Sequence, residues 1–175
     1  MENTFKLQKI NNDNFQEFYS LLSEDFCYEE RHDFENELLN LKNSNFNPCF
    51  IIKGEQVVGY VCYWNFENLT YIEHFAILKD LRNQGIGTEF LKWFLIGKKQ
   101  VVVEVERPED EIKQKRIKFY KNLGFVVNGY DYIQPSYHNG EDKVPMLILS
   151  FNKKIEKKEY QEFINLLNKF VYRIV

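Results

Sequence analysis

The residues of this 175-residue chain whose types and spacing could do chemistry begin with Arg82-Asn83-Gln84-Gly85-Ile86-Gly87-Thr88. Two glycines one residue apart follow an arginine and a glutamine. Glycine takes dihedrals closed to other residues and has no side chain to block an approaching group. Where such glycines open a helix, the first backbone N–H groups lack an intrahelical partner and the helix dipole adds positive potential. That combination suits an anion, and a phosphate or pyrophosphate is the natural guest. Arg82 and Gln84 add side-chain donors. The competing reading of the same residues is a glycine-containing turn with no ligand.

The elements that must position this turn are legible on either side. Tyr71, Ile72, Phe75 and Ile77 are aromatic or β-branched and predict a strand. Lys79 to Gln84 form a polar hinge. Ile86, Phe90, Trp93 and Phe94 recur at three- and four-residue spacing and predict a helix. The dinucleotide fingerprint needs a third glycine where Phe90 stands, and the Gly-Lys-Ser/Thr of a Walker loop is missing. What is left, Arg-Asn-Gln-Gly-Ile-Gly with Ala76-Ile77 ending a strand five residues before the arginine, closely resembles the pyrophosphate-binding segment of the GNAT superfamily of acetyl-CoA-dependent N-acetyltransferases.

The resemblance covers about residues 3 to 151. It implies a mixed α/β (α+β) fold: a central, largely antiparallel sheet flanked by helices, whose middle strands, carrying Ile77 and Val103, splay apart. It implies acetyl-CoA as co-substrate, with Phe75, Ala76 and Ile77 pairing with the pantetheine arm. Arg82, Asn83, Gln84, Gly85, Ile86, Gly87 and Thr88 would then hold the pyrophosphate, and the polarised carbonyl would lie near the Ile77 N–H. Phe119-Tyr120-Lys-Asn-Leu-Gly124-Phe125 resembles a second landmark of the family, so Tyr120 is the candidate general acid toward the leaving thiolate; its other reading is a packing tyrosine. Two positions depart from the pattern. Lys113 stands where an Asn is common, and Arg116 where a small residue is, which offers either as a partner for the phosphates of coenzyme A.

For the base, Glu73 stands four residues before Ile77, so alternation puts both on one face. Glu104 is the second candidate, sharing a face with Glu106 on the next strand. Either carboxylate could equally be structural or orient the substrate. His74 should face the other way, as a packed histidine. The resemblance places the acceptor side at Phe26 to Asp33 and Tyr132 to Lys143. Tyr28, Glu29, Glu30, Gln134, Tyr137 and His138 could line it, or Gln134 to Tyr137 could be an ordinary surface loop.

The remaining chain reads as β-α-α-β-β-β-α-β-α-β-β. Phe5 and Leu7 open a strand. Asp13 and Gln16 resemble a helix cap before the stripe Phe15, Phe18, Tyr19, Leu22 and Phe26. A second helix from Asp33 turns Phe34, Leu38 and Leu41 inward. Strands follow at Cys49 to Lys53 and Val57 to Trp64. Val101 to Glu106 is a valine-rich strand, typical of one covered on both faces. A helix beginning at Pro108 carries Ile112, Phe119 and Leu123 inward and stops at Gly124. Phe125 to Val127 and Pro145 to Phe151 are strands, with a loop over residues 131–144. Residues 152–175 lie beyond the 1–151 domain. There Tyr160, Phe163, Ile164, Leu167, Phe170, Val171 and Ile174 form one apolar face, which is docked on its own domain, makes a homodimer contact or covers the substrate.

Composition narrows the function classes. The length suits one domain burying about 70% of its unfolded surface. A net charge of −3 argues against a general nucleic-acid binder and agrees with a cationic acceptor. Cys27, Cys49 and Cys62, like His32, His74 and His138, are too scattered for a metal site or a disulfide framework. The residues from Met1 to Leu7 hold no apolar signal core, and no run reaches membrane-spanning length. The expectation is a cytoplasmic N-acetyltransferase without a metal, acting on a primary amine of a small molecule or peptide. A non-catalytic acyl-CoA sensor is the alternative.

Overall fold

Alternating and helical apolar patterns become, in the computed structural model, eight strands and five helices among the described residues, making a mixed α/β fold with a mostly antiparallel sheet. Residues 5–138, 140 and 143–174 are described. Residues 1–4, 139, 141, 142 and 175, which the sequence reading included in its N-terminal segment, its acceptor loop and its C-terminal helix, lie outside them. The chain divides into two units, residues 1–102 and 103–175.

In the first unit β1 (Phe5–Lys9), β2 (Phe46–Lys53), β3 (Gln56–Phe66) and β4 (Leu69–Ile77) pair antiparallel in sequence order. Side chains alternate between two covered faces. On one, Tyr60 of β3 meets Phe18 of α1 (Phe15–Asp25) edge-on at 5.7 Å. On the other, Phe5, Tyr63 and Phe75 meet Phe90 and Phe94 of α3 (Ile86–Phe94) at 5.0–5.5 Å between ring centres. With both faces packed, β3 is buried from Val58 to Trp64.

Two local readings change. Asn14, not Asp13, precedes the first turn of α1, its side chain accepting the Asn11 N–H at 2.8 Å. In α2 (Phe34–Asn40) the residues most buried are Glu37 and Asn40, while Phe34 and Leu38 are only half-buried. Asn40 Nδ2 donates to Glu37 Oε2 at 3.1 Å, so the buried polar pair satisfies part of its own demand. Phe34 packs sideways instead, edge-on to Phe15 and Tyr19 at 5.1 Å each.

In the second unit β5 (Val101–Glu106) neighbours β8 (Val144–Phe151), which pairs antiparallel with β6 (Phe125–Val127) along one half and β7 (Tyr132–Gln134) along the other. Strand β7 lies inside the stretch read from sequence as loop, too short to show a periodicity of its own. α4 (Glu111–Asn122) starts at Asp110, whose carboxylate accepts the Lys113 N–H at 2.8 Å, two residues after Pro108. That shift turns Ile112 out, 72% exposed, and Ile117 in. The C-terminal helix α5 (Lys157–Leu166) docks within this unit. Tyr130 and Tyr160 stack at 3.9 Å, and buried Asn128 accepts the Ile155 N–H at 2.9 Å while donating to Ser150 and the Ile148 carbonyl.

The backbone comes close at Gly59, opposite Ile77, where an added Cβ would stand 2.3 Å from the Ala76 carbonyl oxygen. An extra residue at Val58 kinks β3 there, and the Val58 carbonyl accepts the Leu78 N–H at 2.9 Å, just past the end of β4. Gly59→Ala is expected to destabilise the fold by about 1–3 kcal/mol, the cost of overpacking. The control is Gly129→Ala, exposed and with nothing within 4 Å of its added carbon, which should stay within about 0.5 kcal/mol of the parent. Urea unfolding of the two variants checks both.

Candidate active site

β4 ends at Ile77 and the chain passes through a 3-10 turn, Lys79–Leu81, into an exposed loop and α3. Asn83 (φ 62) and Gly85 (φ 81) are both left-handed, a conformation Asn tolerates and Gly adopts freely. Around Gly85 there is open space. The first helical bond of α3 runs from the Glu89 N–H to the Gly85 carbonyl at 3.0 Å, so the amides of Ile86, Gly87 and Thr88 precede it. These are the donors that fit an anion.

The two side chains expected to help are engaged within the protein. Arg82 Nε donates to the Ile77 carbonyl at 2.7 Å and Nη2 to Asp25 Oδ1 at 2.5 Å; Gln84 Nε2 donates to the Asp80 carbonyl at 3.1 Å. Arg82 therefore ties the end of β4, the loop and the end of α1 together. Asp25 was not singled out from the sequence, where nothing marks its partner 57 residues away. Of the strand residues, Phe75 stacks on Phe90 at 5.5 Å, Ala76 lies opposite Tyr60, and Ile77 is buried opposite Gly59.

Glu73 departs from simple alternation. Cys62 pairs with His74 but Tyr63 with Ile72, which leaves Glu73 as the extra residue of a β-bulge. Trp64 Nε1 donates to Glu73 Oε2 at 2.6 Å. Trp64 alternates with Cys62 and Tyr60, on the face opposite that of Tyr63, Phe75 and Ile77, so the bulge turns Glu73 away from Ile77's face. His74 faces the same side, so the two neighbours do not point opposite ways as alternation predicts; the histidine is packed there, Nε2 bonding the Glu30 carbonyl at 2.8 Å and the ring meeting Phe26 at 4.6 Å. That bond ties β4 to the 3-10 turn Tyr28–Glu30. Tyr28 is 52% exposed there. Arg31 braces the segment, donating to the Phe26 carbonyl at 3.0 Å and lying over Tyr19 at 5.2 Å and Tyr28 at 6.0 Å. Nothing in the residue pattern singles out Arg31.

In the second unit Tyr120 is buried on α4 between the rings of Phe119 and Phe125, each 5.2 Å away. Burial pushes its phenol up to about 12, with the Arg116 charge pulling the other way. Lys113 and Arg116 are not left to meet phosphates unopposed. Glu106 takes both, at 3.3 and 2.9 Å, and Glu109 pairs with Lys113 at 3.0 Å.

Glu104 and Gln134, singled out separately, are brought together. Tyr132 Oη donates to Glu104 Oε1 at 2.6 Å, and Gln134 Nε2 and Tyr172 Oη donate to Oε2, each at 2.8 Å. Burial and the adjacent carboxylate push the Tyr132 phenol far above its ordinary value. Tyr137 lies against Tyr172 at 5.0 Å, and Ser136 Oγ accepts the His138 N–H at 3.1 Å, so the residues read as a recognition loop are ordered by their own turn. Tyr172 escaped the sequence reading. Among the described residues no cluster of His, Cys, Asp or Glu could hold a metal ion, and no helix is long and apolar enough to cross a membrane.

The family model of the acetyltransferase (GNAT) domain matches residues 45–127. A solved structure from Bacteroides thetaiotaomicron, described as a GNAT-family acetyltransferase, is 32% identical, with 97% of this chain and 99% of that one covered at a TM-score of 0.90. The ribosomal-protein-S18-alanine N-acetyltransferase of Escherichia coli is 13% identical, covering 88% and 97% at 0.60. A GNAT family acetyltransferase from Elizabethkingia anophelis, solved with acetyl-CoA bound, is 17% identical, covering 86% and 99% at 0.55. These last two speak for the fold. No curated protein sequence matches. Near-complete coverage at 32% identity, with the domain model across the centre, carries the conclusion: the chain belongs to the GNAT acetyltransferase family.

Proposed function

We propose that the protein transfers an acetyl group from acetyl-CoA to a primary amine of a small molecule or peptide, by direct attack within a ternary complex. Acetyl transfer follows from the family. The observation that carries the choice of acetyl-CoA is the start of α3, where the amides of Ile86 to Thr88 precede the first helical bond beside left-handed Gly85. That is a diphosphate's complement, and a relative from Elizabethkingia anophelis holds acetyl-CoA. Arg82 and Gln84 shape the loop, and Phe75, Ala76 and Ile77 offer strand backbone to the pantetheine arm.

Three services are needed: the amine loses a proton, the carbonyl is polarised, and the leaving thiolate is protonated. Tyr120 supplies the last proton. A carboxylate, Glu73 or Glu104, takes the first or orients the amine. Tyr28, Gln134 and Tyr137 belong to the acceptor side. Direct attack is favoured because no thiol is poised as a nucleophile. Burial raises Cys62 well above its ordinary value, Cys49 to about 11 and Cys27 to about 12, the last with help from Glu30. The departures that suggested a non-catalytic sensor, Lys113 and Arg116, are accounted for by their pairing with Glu106. Three free thiols agree with a cytoplasmic setting.

The test is thiol release from acetyl-CoA with an amine panel that includes spermidine and a peptide beginning with alanine, the acceptor types named for two neighbours of the fold. Tyr120→Phe is expected to lower kcat about 100-fold with little change in KM. Unaltered kcat would remove Tyr120 from the chemistry.

Because its pKa is raised to about 12, Tyr120 keeps its proton at any ordinary working pH. The kcat/KM for the amine should climb with pH as the ammonium titrates, with no fall assignable to Tyr120 below pH about 11. The same shift stabilises the fold fully below the unfolded value near pH 10, and that contribution is lost as pH rises through about 12.

Gly85→Ala forces a side chain into φ 81 without filling occupied space. It should weaken coenzyme A binding roughly tenfold in calorimetry, as the loop moves out of the left-handed conformation. An unchanged affinity would mean that the loop geometry does not set the grip.

A further inference from the structure

The C-terminal segment leaves regular helix twice, and both departures flank one side chain. α5 gives way to a π turn over Leu167–Val171, closed by the Tyr172 N–H donating to the Leu167 carbonyl at 2.9 Å. Arg173 follows with φ 53, left-handed for a residue that is not glycine. One additional residue in a helical turn rotates everything after it by roughly 100°. The apolar period of the sequence would carry Ile174 inward. Instead Ile174 is 47% exposed and Tyr172 is 4% exposed. Single π turns recur at functional sites, and strained backbone persists only where its surroundings hold it.

Tyr172 reaches Glu104. Its hydroxyl donates to Oε2 at 2.8 Å, beside Gln134 Nε2 at the same distance, while Tyr132 holds Oε1 at 2.6 Å. Tyr132 and Gln134 are two residues apart on β7 and so reach the carboxylate from one face of that strand. Glu104 interrupts a run of valines, where a carboxylate needs such donors. The Tyr172 ring also bears on Tyr137 at 5.0 Å. Packing alone would be satisfied by Phe163, Leu167 and Val171, all buried. The strained turn delivers a hydroxyl.

We propose that Tyr172 is a positioning residue for the transfer reaction: its hydroxyl, brought round by the π turn, fixes the Glu104 carboxylate in the orientation in which it meets the acceptor amine. The C-terminal segment is then a component of acceptor recognition. This rests on the reading of Glu104 as an acceptor-side carboxylate.

The experiment is a double-mutant cycle on the full chain, with spermidine and the alanine-initiated peptide as acceptors. Tyr172→Phe keeps the ring and removes one O–H. It should lower kcat/KM for the acceptor about tenfold while KM for acetyl-CoA and the melting temperature hold. In a Glu104→Gln background the same change should cost less than about twofold, because the two residues act as one unit. An equal factor in both backgrounds, or full acceptor kcat/KM in Tyr172→Phe, overturns the proposal while leaving acetyl transfer by the parent intact. Failure of the parent itself to acetylate any amine overturns the functional reading, and this proposal with it.

Discussion

The start of α3 leaves backbone amides outside the helical bonding at one place, and contacts across the first unit fix where that place lies. Phe90 and Phe94 anchor the helix on the sheet against Phe5, Phe75 and Tyr63. Gly85 turns the chain left-handed so that the helix begins abruptly, without a capping side chain to occupy its amides. Arg82 closes the far side, bridging the last carbonyl of β4 to Asp25 of α1. Gly59 and the kink at Val58 let β3 follow β4 to its end. An exposed guanidinium aimed at solvent would be a weak and salt-screened anion site. Amides on a packed helix cost no reorganisation when charge arrives, and the helix dipole adds to them.

The two candidate carboxylates are furnished differently. Glu73 is turned by a β-bulge toward the Trp64 indole, whereas Glu104 is gripped by two phenols and an amide. Three donors orient a carboxylate firmly, at the expense of its freedom to move with a proton. That grip suits the orienting role proposed for Glu104. Tyr132 keeps its proton beside Glu104, since burial and the neighbouring negative charge both oppose its ionisation.

Sequence reading succeeded where the signal is local. Strand, turn at Gly85 and helix from Tyr71 to Phe94 follow from alternation, from the need for a left-handed dihedral and from helical spacing, and each appears in the structure, although Gly87 is helical. The family resemblance also stood. What escaped depends on residues distant in sequence or on breaks in period. A bulge at Glu73 defeats an alternation argument by one residue. Asp110 takes the cap from the Pro108 turn and rotates Ile112 to solvent. Glu37 and Asn40 are buried against the polarity rule because they bond one another. Tyr172 required knowing that a π turn interrupts the C-terminal helix, and no residue type announces one.

On the proposed function, the amides opening α3 hold the diphosphate of the co-substrate. Titration calorimetry comparing coenzyme A with pantetheine, which lacks the diphosphate and the nucleotide, tests it most directly. If the amides carry the grip, coenzyme A should bind at least about tenfold tighter, with the advantage shrinking as salt is raised. Equal affinity for the two compounds at low salt would contradict it.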